Sequence, residues 1–71
     1  MNTLAIKTEH VTLAQALKMA GIAATGGHAK ILVREREVTV NGEVIEQPGR
    51  KLFPEDCFSV GEDEWQIVTD K

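Results

Sequence analysis

Apolar positions along this chain change their period several times, and each change predicts an element. Thr3 to Lys7, TLAIK, alternates as a short first strand. Thr8-Glu9-His10 is a turn-like link. From Thr12 the period lengthens: Leu13, Ala16, Leu17 and Ala20 form the stripe of an amphipathic helix. Thr12 and Gln15 stand at the spacing of a capping box, in which each side chain satisfies the other's free backbone N–H. Gly21 tolerates positive φ and stops this helix. Ile22-Ala23-Ala24 is an apolar connector anchored in the core. Thr25 then caps a second helix, running from about Gly27 or His28 to about Arg36. Ala29, Leu32 and Val33 turn to its core side, and His28 lies near Glu35 around the helix. Lys30 and Arg34, one turn apart, share the outward face with Ile31 between them.

Beyond this helix the period falls to two. Val38-Thr39-Val40 alternates as a strand, and Asn41-Gly42 predicts a two-residue type I′ hairpin because both residues accept positive φ. Glu43-Val44-Ile45 returns antiparallel. Pro48-Gly49 makes a second turn with Arg50 and Lys51 at its exit. Leu52-Phe53-Pro54-Glu55-Asp56 leads into a strand over Cys57-Phe58-Ser59-Val60. Gly61-Glu62-Asp63-Glu64 is an acidic turn, and Trp65-Gln66-Ile67-Val68 is the last strand. The expected fold class is α+β in one domain over residues 1–71, with no internal repeat or linker. A core of this size supplies a net stability of roughly 3–5 kcal/mol, and a two-domain catalytic cleft does not fit.

Charge changes the picture through its distribution. The net charge is −3, but residues 1–51 carry +2 and residues 52–71 carry −5. Salt screens charges beyond about 8–10 Å, so a local basic patch coexists with an acidic total. Aromatic residues are few, Phe53, Phe58 and Trp65, which leaves little material for a row of stacked bases. Cys57 is the single cysteine, so neither an intrachain disulfide nor a cysteine zinc site is expected. It reads as a core residue. His10 and Met19, without companions of metal-ligand spacing, read as a surface residue and packing filler. The absence of disulfide staples points to a reducing compartment. The opening MNTLAIKTEH holds no apolar run of signal-peptide or membrane-span length. A cytoplasmic location and no membrane partner are expected.

No catalytic constellation emerges. The chain has no Gly-x-Ser-x-Gly elbow, no Walker loop, no dinucleotide fingerprint and no metal-spaced His/Cys set. No cofactor, metal or small-molecule substrate is expected, which leaves a binding module. Thr25-Gly26-Gly27 lets another backbone approach a helix start whose N–H groups can hold a phosphate. The tripeptide alone fits a tight turn between helices equally well. Lys30 and Arg34 beside it complete the elements of a phosphate clamp.

Three motifs in order, Gly27-x-Ala29-Lys30, Val38-x-Val40-Asn41-Gly42-Glu43 and Gly49-Arg50-Lys51-Leu52, give residues 11–60 a resemblance to the S-four RNA-binding domain, most of all its stand-alone bacterial form. The resemblance implies two short helices packed on a small, bent antiparallel sheet. It also implies non-catalytic binding of structured RNA, ribosomal or transfer RNA, with association to the ribosome or its assembly. Carried over by position, it assigns RNA contacts to Thr25, Gly26, Gly27, His28, Lys30, Arg34, Arg50 and Lys51. Similar proteins carry a basic residue at Ile31, often basic ones at Thr39, Gln47 and Pro48, a glycine at Arg36, and Gly-Asp at Glu55-Asp56, so the basic surface is thinner here. Two other classes remain open. One is a protein-interaction module derived from an RNA-binding domain, using the acidic tail or Ile31. The other is a ubiquitin-like sulfur carrier, whose chemistry needs a C-terminal Gly-Gly where this chain has Val68-Thr69-Asp70-Lys71.

Overall fold

The computed structural model describes residues 1–70. The elements in order are β1 (Asn2–Ile6), β2 (Val11–Thr12), α1 (Leu13–Met19), α2 (Gly26–Arg34), β3 (Val38–Val40), β4 (Glu43–Val44), β5 (Lys51–Leu52), β6 (Cys57–Val60) and β7 (Asp63–Thr69). Five strands form one sheet in the order β1-β7-β6-β3-β4, and β2 with β5 forms a separate two-stranded ribbon. The β3–β4, β3–β6 and β6–β7 pairs are antiparallel. β1 pairs parallel to β7, with Leu4 opposite Ile67, so the sheet is mixed where the resemblance implied an antiparallel one. That pairing joins the two ends of the chain, and no turn chemistry marks such a contact in the sequence.

Period-two alternation sorts the sheet into two faces. Leu4, Ile6, Val38, Val40, Phe58 and Ile67 are buried in one cluster with Leu13, Ala16 and Leu17 of α1 and Ala29 and Val33 of α2. Fully burying each larger side chain contributes about 1.5–3 kcal/mol. Thr39 and Ser59 face the other way and hydrogen-bond hydroxyl to hydroxyl across the β3–β6 pair. Cys57 shares their face: because Phe58 points inward, its neighbours point outward. The thiol is half-buried on the open side of the sheet, 3.9 Å from the Glu55 carbonyl, and is not the core residue its surroundings in sequence implied.

Both helices end in the same hydrogen-bonded motif, with different residues at the critical position. After α1, Gly21 (φ +78°) donates to the Lys18 carbonyl at 3.1 Å and Ile22 to Leu17 at 3.1 Å. After α2, Arg36 (φ +63°) donates to Val33 at 3.1 Å and Glu37 to Leu32 at 3.2 Å. The helix therefore ends at Arg34, earlier than its apolar pattern implies, because Arg36 is already left-handed. Glu55 (φ +81°) holds the third place of the Phe53–Asp56 turn, closed by Asp56 N–H to the Phe53 carbonyl at 2.9 Å. Arg36 and Glu55 are the two positions where the resemblance led one to expect glycine. A left-handed conformation costs a side-chain-bearing residue about 1–2 kcal/mol.

Asn41 (φ +52°) and Gly42 (φ +84°) form the type I′ turn between β3 and β4. The Asn41 side chain does more than allow the turn. Its Oδ1 accepts from Cys57 N–H at 3.0 Å, and its Nδ2 donates to Asp56 Oδ1 at 3.2 Å. Asp56 Oδ2 in turn accepts from Phe53 N–H at 2.7 Å. The hairpin tip is thus clipped to the start of β6.

Candidate nucleic-acid interface

The starts of the two helices are built differently. At α1 the first three N–H groups all have partners within the chain. Leu13 donates to the Arg50 carbonyl at 2.8 Å and Ala14 to the Pro48 carbonyl at 3.1 Å. Gln15 donates to Thr12 Oγ1 at 3.2 Å, and Gln15 Oε1 accepts from Thr12 N–H at 2.9 Å, completing the capping box. At α2, Thr25 Oγ1 accepts from His28 N–H at 3.1 Å and the Thr25 carbonyl from Ala29 N–H at 3.0 Å. The N–H groups of Gly26 and Gly27 precede the first intrahelical bond and lie at the surface. They carry the positive end of the helix dipole into open space.

Nothing in the folded chain requires glycine at these two positions. Neither has positive φ. A Cβ on Gly26 would meet nothing within 4 Å, and one on Gly27 only Thr25 Oγ1 at an ordinary 3.8 Å. The His28 ring turns back toward the chain before its helix. Its Nδ1 accepts from Ala24 N–H at 3.3 Å, which places the proton of a neutral ring on Nε2, on the opposite side of the imidazole.

All eight residues assigned from the sequence, Thr25, Gly26, Gly27, His28, Lys30, Arg34, Arg50 and Lys51, are exposed. Among the described residues the ion pairs are Lys7–Asp70 at 3.9 Å and Arg36–Glu46 at 3.3 Å. Lys30, Arg34, Arg50 and Lys51 therefore have no acidic partner among those residues.

The eight form a track rather than one pocket. Residues 45–50 run from the end of α2, where Glu46 meets Arg36, to the start of α1, where the Pro48 and Arg50 carbonyls are held. Arg50 and Lys51 accordingly lie beside the start of α1, whereas Thr25–His28 form the start of α2. A helix of nine residues is about 13 Å long at 1.5 Å per residue, with Lys30 midway and Arg34 in the last turn. Ile31, 56% exposed, interrupts the track with an apolar side chain. Thr39 lies on the open sheet face bonded to Ser59, away from this track. The sequence reading did not show that Arg36 would pair with Glu46, nor that the Pro48–Arg50 carbonyls would close the start of α1. The first joins residues ten apart across a hairpin, and the second joins residues more than thirty apart.

Among the described residues no group of His, Cys, Asp and Glu could hold a metal ion. No helix of these residues is long and apolar enough to cross a membrane. Comparison with known families gives a match to the S4 (S-four) domain over residues 4–68. The chain belongs to the S4 domain family. The S4 match extends past the motif region at both ends and takes in most of β1 and β7. A Bacillus subtilis (strain 168) protein named probable ribosome maturation protein RlbA is 41% identical over 68 residues, covering 94% of this chain and 96% of that protein. This S4 domain is therefore similar to that relative over nearly its whole length.

Proposed function

We propose that this S4 domain binds structured RNA without catalysis, that its target is ribosomal RNA, and that it acts during ribosome maturation in the cytoplasm. The observation that carries the reading is the contrast between the helix starts. The chain closes α1 with its own carbonyls and leaves α2 open beside cations that have no acidic partner among the described residues. Gly26 and Gly27 admit a phosphate to the N–H groups of the first turn, with Thr25 and His28 beside it. Lys30 and Arg34 hold phosphates along the helix, and Arg50 and Lys51 extend the contact beside the start of α1. Such contacts fix register and supply affinity by releasing counterions, while RNA shape supplies selectivity. The similarity to a protein named for ribosome maturation supports the choice of ribosomal RNA.

Crosslinking the tagged protein to RNA in cells, then sequencing the RNA and mapping the adducts by mass spectrometry, tests this reading. Ribosomal RNA should be enriched, with adducts in peptides spanning residues 25–34 and 50–53. A stable protein complex on pull-down with no RNA enrichment would instead make this a protein-interaction module.

A further inference from the structure

The β2–β5 ribbon has an inner and an outer face. Val11 pairs with Leu52 and Thr12 with Lys51. Val11 and Leu52 are buried, so Lys51 and Phe53, either side of Leu52, share the outer face. Continuing the register by one residue sets His10 opposite Phe53. Their rings lie 5.5 Å apart between centroids, tilted by 46°. His10 is thus half-buried against an aromatic partner, not the free surface residue its isolation implied. Phe53 remains 48% exposed, so the fold uses only part of its surface. His10 also walls an open groove of about 710 Å³ that Val11, Lys18 and Met19 help to line. An aromatic pair whose Phe53 ring is partly exposed, with Lys51 on the same face and free of an acidic partner among the described residues, combines an apolar flat surface with the charge that attracts a phosphate chain.

We infer that the outer face of the β2–β5 ribbon is a stacking platform for one unpaired nucleobase, with Phe53 and His10 as the platform and Lys51 on the adjoining phosphate. The inference rests on the RNA-binding reading and sharpens it: the RNA carries a bulged or looped-out base rather than a continuous duplex. Aromatic rings take up such splayed bases, whereas a paired duplex presents none. The ligand class is set by the chemistry of the face, aromatic next to cationic, which suits a nucleotide better than an apolar peptide.

The test compares two RNA hairpins, identical except for a single bulged adenosine, against the wild type, Phe53→Leu and Phe53→Trp. Leucine keeps the apolar bulk and loses the π-face. The wild type should bind the bulged hairpin about tenfold more tightly, and Phe53→Trp should keep that preference. Phe53→Leu should reduce it to within about twofold while leaving the affinity for the unbulged hairpin and its salt slope unchanged. The inference is overturned if the wild type shows no preference, if Phe53→Leu retains it, or if Phe53→Leu weakens both hairpins equally. If the wild type binds neither hairpin at about 50 mM salt, the RNA reading itself fails, which is distinct from binding both without preference.

Discussion

Lys30→Glu combined with Arg50→Glu is expected to weaken binding to ribosomal RNA fragments by at least about 100-fold at low salt. Each cation is exposed and has no acidic partner among the described residues, so each is available to one phosphate. Losing two phosphate contacts lowers the slope of log affinity against log salt by roughly 2. The introduced carboxylates add repulsion against the RNA. The fold should not change, because surface substitutions away from buried features usually move stability by within about 0.5 kcal/mol. Lys30 lies midway along α2 and Arg50 beside the start of α1, so the pair samples both helices. Electrophoretic shifts across a salt series check the expectation. Shifts equal to those of the wild type would place the RNA on another surface.

Asn41→Ala is expected to destabilise the fold by about 2–3 kcal/mol. That is a large share of what a domain of this size holds in reserve, roughly 3–5 kcal/mol. Asn41 makes three contributions at once: it adopts φ +52°, it accepts from Cys57 N–H, and it donates to Asp56. Alanine tolerates the turn poorly and leaves the Cys57 N–H without its acceptor. Asn41→Gly separates the terms, since glycine keeps the positive φ and loses only the clip, for an expected cost of about 1–2 kcal/mol. Urea unfolding measures both, as lower midpoints at an unchanged slope. Equal losses for alanine and glycine would mean that the clip carries the effect and the turn conformation does not.

The legible parts of the fold were those written in local chemistry. The Thr12–Gln15 capping box, the Gly21 stop, the Thr25 cap and the Asn41-Gly42 turn are each set within a few residues, and each stands where its sequence places it. Period-two alternation likewise located β3, and the apolar run CFSV located β6. What the sequence did not carry is long-range. The parallel β1–β7 pairing joins the chain's ends, and β2 and β5 are two-residue strands too short to show a period. Cys57 was misplaced for a related reason: in the run CFSV, apolar character alone does not decide which residues face inward, and the bulk of Phe58 decides it. The proposed contact residues were readable as four cations and two glycines with a capping threonine and a histidine beside them. That α1 is sealed and α2 open could not be read, because the seal comes from carbonyls of a loop some 35 residues downstream.

That open helix start is the centre of the functional account, and Gly26→Ala with Gly27→Ala tests it on one protein with two readouts. Alanine fits both positions without strain and restricts the unfolded chain, so stability should rise by about 1–2 kcal/mol for the pair. Each kcal/mol raises the melting temperature by about 4–8 °C in a domain of this size. If the two glycines admit a phosphate to the first turn of α2, the same variant should bind structured ribosomal RNA about tenfold more weakly despite being more stable. A raised melting temperature with RNA affinity equal to the wild type would contradict the account.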